Sequence, residues 1–169
     1  MRMLLLAATA AFTLTACGDM RFANSMPPHT SQLTQIPKAC QGTFINEEGE
    51  TLVATATHVD TGELQLDLVK GSDAFTVKAG DRWYYANLKD DDGRFYVIPF
   101  RPMENGNVEI GLFSMEEEGQ EATLVSITPI VEEAHGVLGV PVIAPDAPEF
   151  EALMQSDLLR TTVLKRTPQ

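Results

Sequence analysis

Beyond residue 40, apolar and polar residues alternate along most of this chain. Leu64, Leu66 and Leu68 share one side of an extended segment while Gln65 and Asp67 take the other. Val108, Ile110 and Leu112 repeat the pattern against Glu109 and Gly111, and Phe75 with Val77 does so more briefly. Period-two alternation predicts half-buried strands, which we place near 42–46, 51–59, 63–69, 74–78, 82–88, 94–101, 107–113, 122–129 and 160–166. Glycine-bearing turns separate them: Glu48-Gly49, Thr61-Gly62, Gly71-Ser72, Ala79-Gly80, Asp92-Gly93, Asn105-Gly106 and Glu118-Gly119. Asp-Gly and Asn-Gly are strong hairpin signals because both positions adopt positive φ at low cost. Gly80, Gly93, Gly106 and Gly119 recur every 13 residues. That rhythm leaves no room for crossover helices, so neighbouring strands pair antiparallel.

The period changes once. Asp146 is placed to cap a helix, with Pro148 in its first turn and Glu149 at the third helical position. Phe150, Leu153, Met154 and Leu158 then form one stripe at helical spacing, which predicts a helix near 147–158. The expected fold class is mainly β: an antiparallel meander of eight or nine strands, with this C-terminal helix before the last strand. Closure into a small barrel, or strong curvature, would remove exposed edges. The helix would then cover an opening or a face of the sheet.

The N-terminus follows a different pattern. Met1-Arg2 gives a short positive start, and Met3 to Ala16 is an apolar run of 14 residues. This is the length of a signal h-region, short of the roughly 18 apolar residues needed to span a bilayer. The run ends in Leu14-Thr15-Ala16-Cys17, which resembles the lipobox of bacterial lipoproteins. The resemblance implies that residues 1–16 are a signal peptide, that Cys17 is diacylated, and that its new N-terminus is often acylated as well. Two or three acyl chains, at about 0.8 kcal/mol per buried methylene, make a durable anchor. In that family an Asp directly after the lipidated cysteine favours the inner membrane. Gly18 holds that position here and Asp19 follows, which implies a periplasm-facing anchor in the outer membrane. The inner membrane and a Gram-positive cell surface are the alternatives. An ordinary secretory signal would instead leave Cys17 free to pair with Cys40.

Residues 18–39 hold Pro27-Pro28, Pro37 and scattered polar residues without helix or strand period. They read as a flexible tether with a reach of roughly 70 Å at about 3.3 Å per residue. The division is therefore signal peptide 1–16, lipidated cysteine and tether 17–39, and β domain 40–169.

Charge narrows the partners. The 169 residues carry 12 basic against 24 acidic side chains, a formal charge of −12, and loss of Arg2 with the signal leaves 11 against 24. Such a field repels phosphates, so nucleic acid is excluded as a partner to first order. The only long apolar run is the N-terminal one, which excludes a polytopic membrane protein.

A second resemblance spans the β domain. Gly42-Thr43-Phe44 opens the first strand, further strands follow, and a helix precedes a final strand carrying Arg166. This order is similar to lipocalins, whose first strand has Gly-x-Trp and whose late arginine packs across that tryptophan. The chain departs from them in having Phe44 for the tryptophan and in lacking the middle Thr-Asp-Tyr motif.

Catalytic chemistry has little to stand on. His29, His58 and His135 show no metal-ligand spacing, although His135 lies beside Glu132 and Glu133. Asp90-Asp91-Asp92-Gly93 fails as a calcium loop, because Leu88 and Pro99 fall at the first and twelfth positions. Glu116-Glu117-Glu118 reads as a charged hairpin tip. Cys40 has only Lys38 as a nearby basic residue and reads as a small buried residue. No Gly-x-Ser-x-Gly and no phosphate-cradling glycine loop occurs. No cofactor is expected, and the protein is read as a non-enzyme.

The aromatic stretch carries the binding expectation. Arg82-Trp83-Tyr84-Tyr85 and Arg94-Phe95-Tyr96-Val97-Ile98-Pro99-Phe100 put large residues on both faces of adjacent strands. One face of a half-buried sheet should be polar. Either the second face lies under the helix or the 131–145 loop, or it forms a groove. The candidate ligand-binding residues are Arg82, Trp83, Tyr85, Arg94, Tyr96 and Phe100, with Arg101 also at the rim. The expected function is binding of a small hydrophobic or amphiphilic ligand by a membrane-anchored envelope lipoprotein. The alternative is docking of an envelope protein through the same surface.

Overall fold

The computed structural model describes residues 20–115, 117–133 and 140–168. The lipobox with Cys17, Glu116 and His135 lie outside these residues. Among them the chain forms β1 (Arg21–Phe22), β2 (Gly42–Ile45), β3 (Thr51–Ala54), β4 (His58–Asp60), β5 (Gln65–Asp67) and β6 (Phe75–Ala79). β7 (Tyr84–Lys89), β8 (Phe95–Pro102) and β9 (Val108–Phe113) follow. The last elements are helix α1 (Gln120–Ile127), β10 (Ile130–Glu133), β11 (Pro141–Ile143), helix α2 (Ala147–Met154) and β12 (Leu159–Arg166).

The fold is mainly β, as the alternation predicts, but the described residues form twelve strands rather than eight or nine, and one pair, β1 with β11, is parallel. Nine strands run β6-β7-β8-β9-β12-β2-β3-β4-β5, each neighbour pair antiparallel. β12 is inserted between β9 and β2, so the last strand joins two wings of the meander. A short side branch adds β1 beside the start of β8, then β11 parallel to β1, then β10.

Three expectations are corrected. First, the sheet does not close into a barrel: among the described residues β5 and β6 share no ladder. Residues 32–33 lie along the free edge of β6, where Gln32 bridges Lys78 and Leu33 N–H donates to Val77 O at 2.7 Å. Ile36 N–H then donates to Ala56 O between β3 and β4, also at 2.7 Å. Backbone groups on β6 that a closing strand would have satisfied are thus already paired. Second, residues 20–36 are not a tether. Met20, Phe22, Met26 and Ile36 are all buried, and each such burial contributes roughly 1.5–3 kcal/mol. Asn87, fully buried on β7, secures this segment by accepting from Met26 N–H at 2.6 Å and donating to Met26 O at 2.8 Å.

Third, the strand expected at 122–129 is α1. Leu124 is fully buried and Ile127, one turn on, packs against the same core, so tertiary contact outweighs the β-branched composition. Gln120 ties the first turn down, donating from Nε2 to Asp157 O and accepting from Glu117 N–H. The expected 51–59 strand is also broken, into β3 and β4. The second helix forms as expected, with Asp146 and Glu149 completing a reciprocal capping box, but ends at Met154.

The sheet buries both faces. Tyr85, Phe95, Val97 and Phe113 point outward under α1, α2 and the β1 segment, with Phe150 and Leu153 of α2 covering them. Phe44, Phe75, Val77, Phe100, Ile110 and Leu164 point inward.

Candidate functional site

The inward face surrounds a cavity of about 500 Å³. All nine strands of the meander contribute lining residues, from Phe44 of β2 and Leu66 of β5 to Ala86 of β7 and Leu164 of β12. The strand alternation explains this directly. In β8, Tyr96, Ile98 and Phe100 face the cavity while Phe95 and Val97 pack in the outer core, and Val97 also reaches the lining.

Polar lining residues gather at one end. Lys89, Asp90 and Asp91 come from the β7–β8 turn and Thr61 from the β4–β5 turn. Asp90 is held firmly, its side chain only 4% exposed. It accepts from Arg21 Nη1 at 3.1 Å and from the backbone N–H groups of Asp92 and Arg94 at 3.0 and 2.8 Å. Lys89 Nζ meets Asp73 at 2.5 Å, and this hydrogen bond and charge hold the Asp73 carboxyl below its ordinary range. At the rim Lys89 and Asp90 are therefore each paired, and the depth of the cavity is apolar.

Near the opposite end, Arg166 lies across Phe44, its guanidinium carbon 4.7 Å from the ring centroid. Its Nε donates to Gly106 O at 2.8 Å, Nη1 to Gln41 O at 2.6 Å and Nη2 to Ala39 O at 2.9 Å. One side chain thereby ties the first turn of the domain, the β8–β9 turn and the last strand together.

The aromatic stretch divides by strand parity. Tyr96 and Phe100 line the cavity. Tyr85 does not: it is buried in the outer core, edge-on to Phe150 at 5.3 Å. Burial there, with the charges of Asp81 and Glu151 adding to it, raises the Tyr85 hydroxyl pKa to about 12. Trp83 packs against that outer core beneath Arg101, whose guanidinium sits 4.3 Å from the ring centroid. Arg101 also pairs with Glu109 at 2.6 Å. Arg94 pairs with Glu132, and Arg82 is exposed. Four of the six candidate residues thus lie away from the cavity. Sequence reasoning passed over most of the true lining, including Leu52, Leu66, Val77, Ala86 and Ile110. The available signal was the period-two alternation itself, carried by aliphatic residues rather than aromatic ones.

Cys40 lines the cavity and is 4% exposed. Burial pushes its thiol up to about 11, partly offset by Arg166, so it is protonated at neutral pH and poorly suited to nucleophilic attack. His58 meets Asp67 at 2.8 Å at an exposed position. Among the described residues no group of three or more His, Cys, Asp or Glu side chains is arranged to hold a metal ion. No helix among them is long and apolar enough to cross a membrane.

No family model, curated protein or solved structure matches this chain.

Proposed function

We propose that this protein is an envelope lipoprotein, anchored through acyl chains on Cys17, whose β domain holds one small hydrophobic or amphiphilic ligand inside the curved sheet. The cavity carries the reading. Its volume falls within the range of about 300–1,000 Å³ typical of small-molecule sites. Its depth is lined by aliphatic and aromatic side chains that offer water few hydrogen-bond partners. An apolar occupant would take that lining out of water, at roughly 25 cal/mol per Å² covered. The anchor rests on Leu14-Thr15-Ala16-Cys17, and the outer membrane on Gly18 after the cysteine. The stack of Arg166 on Phe44 supports a lipocalin-like arrangement of the first and last strands. The protonated Cys40 thiol supports binding without catalysis.

Native mass spectrometry of residues 18–169 expressed in a periplasm, before and after organic extraction, tests the cavity. The expected result is a lipid-sized adduct that extraction removes. A clean apo mass, together with no uptake of dansyl-undecanoic acid, would overturn it in favour of a protein-docking role. Ala86→Trp, which places a large side chain in the cavity, should weaken dansyl-undecanoic acid binding at least tenfold without lowering the melting temperature. Cys17→Ser should abolish incorporation of labelled palmitate in cells, read by mass and autoradiography.

A further inference from the structure

We infer that the cavity selects an amphiphile with a cationic head, held tail inward with the head among carboxylates at its polar end. This rests on the ligand cavity proposed above. Strand direction alternates all the way from β6 to β5 along the meander. The β2–β3, β4–β5 and β7–β8 turns therefore share one end of the sheet, and the β3–β4, β6–β7 and β8–β9 turns share the other. Thr61, Lys89, Asp90 and Asp91 line the cavity at the first end. At the second, Arg166 bridges Gln41 O and Gly106 O, and Ile36 N–H is bonded to Ala56 O. The lining residues Ile36 and Cys40 are each 4% exposed there. An occupant with one polar group keeps that group at the first end, because the rest of the wall offers it no partner.

The charges at the first end do not cancel. Lys89 is engaged by Asp73, and Arg21 by Asp90 and Asp92 at 3.1 and 3.6 Å. Arg94 turns away to Glu132. Asp91, on the lining itself, is left without a basic partner, and the neighbouring turns add only acid. Glu50, Asp60 and Glu63 border a second hollow of about 450 Å³, which shares Thr61 with the cavity and has no basic residue in its wall. Asp60 accepts from neutral donors, Gly62 N–H at 2.6 Å and Gln65 Nε2 at 3.4 Å, and Glu50 accepts from Asn46 Nδ2 at 2.8 Å. Among the described residues no salt bridge reaches Glu50, Asp60, Glu63 or Asp91.

A head group emerging from the apolar wall thus meets uncompensated carboxylates from two separate turns. An anionic head is repelled there, and a cationic head is attracted by the same field. The tail supplies most of the affinity, and the mouth chooses among heads. A carboxylate probe such as dansyl-undecanoic acid still enters, but less tightly than a cation of equal chain.

Equilibrium dialysis of residues 18–169 against radiolabelled decyltrimethylammonium, decanol and decanoate tests the choice. At about 0.1 M salt, charges more than about 10 Å from the head are largely screened, so the mouth dominates. Decyltrimethylammonium should bind at least fivefold more tightly than decanoate. Glu63 and Asp91 are exposed, so replacing them leaves the core untouched. Glu63→Lys with Asp91→Lys should bring the two ions within twofold or reverse their order. Asp81→Lys with Glu104→Lys makes the same charge change at exposed positions of the opposite end and should leave the preference intact. Decanol binding should stay within twofold throughout. Equal binding of the two ions, or a preference for decanoate, overturns the cationic class, while bound decanol still upholds the cavity. An equal loss of preference in both double variants overturns the placement of the head at this mouth. Failure of all three amphiphiles to bind overturns the cavity, and this inference with it.

Discussion

Gly42 shows how far a single residue constrains the domain. Its φ of 140° lies where a side chain is strained, and an added Cβ would sit 2.2 Å from Arg166 Nη1. Gly42→Ala should therefore cost about 2 kcal/mol or more in urea unfolding, because the guanidinium cannot retreat without leaving Gln41 O and Ala39 O unpaired. Tyr85 makes a pH prediction. Its hydroxyl pKa is raised in the fold, so the stabilising contribution of the neutral form is complete below the unfolded value of 10 and is lost as pH rises towards about 12. The gap corresponds to roughly 2–3 kcal/mol. Tyr85→Phe should flatten the fall in stability over that alkaline window, measured by denaturant midpoint against pH. The Cys40 thiol belongs to the same logic: at pH 8 its reaction with an aromatic disulfide reagent should be slow in the native protein and fast in urea.

At the scale of elements, strand pattern was far more legible than pairing. β6 to β9 and β12 lie within two residues of where alternation puts them, because each shows an apolar face every second residue. The capping box of α2 was equally plain in Asp146, Pro148 and Glu149. The segment 20–36 was not, since its four buried side chains follow no period and are fixed by a remote residue, Asn87. α1 was misread for a related reason: Leu124 and Ile127 are recruited by a core that local sequence cannot foresee. For the site, the aliphatic lining follows the alternation, while of the aromatic and basic candidates Trp83 and Tyr85 belong to the outer core, Arg82 is exposed and Arg94 pairs with Glu132. Asn87→Leu tests the attachment of 20–36. It leaves the Met26 N–H and C=O unpaired in a dry site and should cost about 2–4 kcal/mol by urea unfolding. Proteolysis within 20–36 should rise in parallel.

Across the whole molecule, one sheet serves two interiors, a filled outer core and an unfilled inner one. Their responses should differ. Leu153→Ala in the outer core should cost about 2–5 kcal/mol by thermal or chemical unfolding, with or without added dansyl-undecanoic acid. The insertion of β12 between β9 and β2 has a further consequence, in the order of events during folding. β12 follows both wings in the sequence, so pairings across about 120 residues must wait until it has been synthesised. Contacts of such sequence separation form slowly, and until they do each wing exposes an unpaired edge. A growing chain therefore stays open and threadable for as long as β12 is missing. The same late strand that completes the sheet sets the moment after which the protein can no longer be passed through a narrow channel.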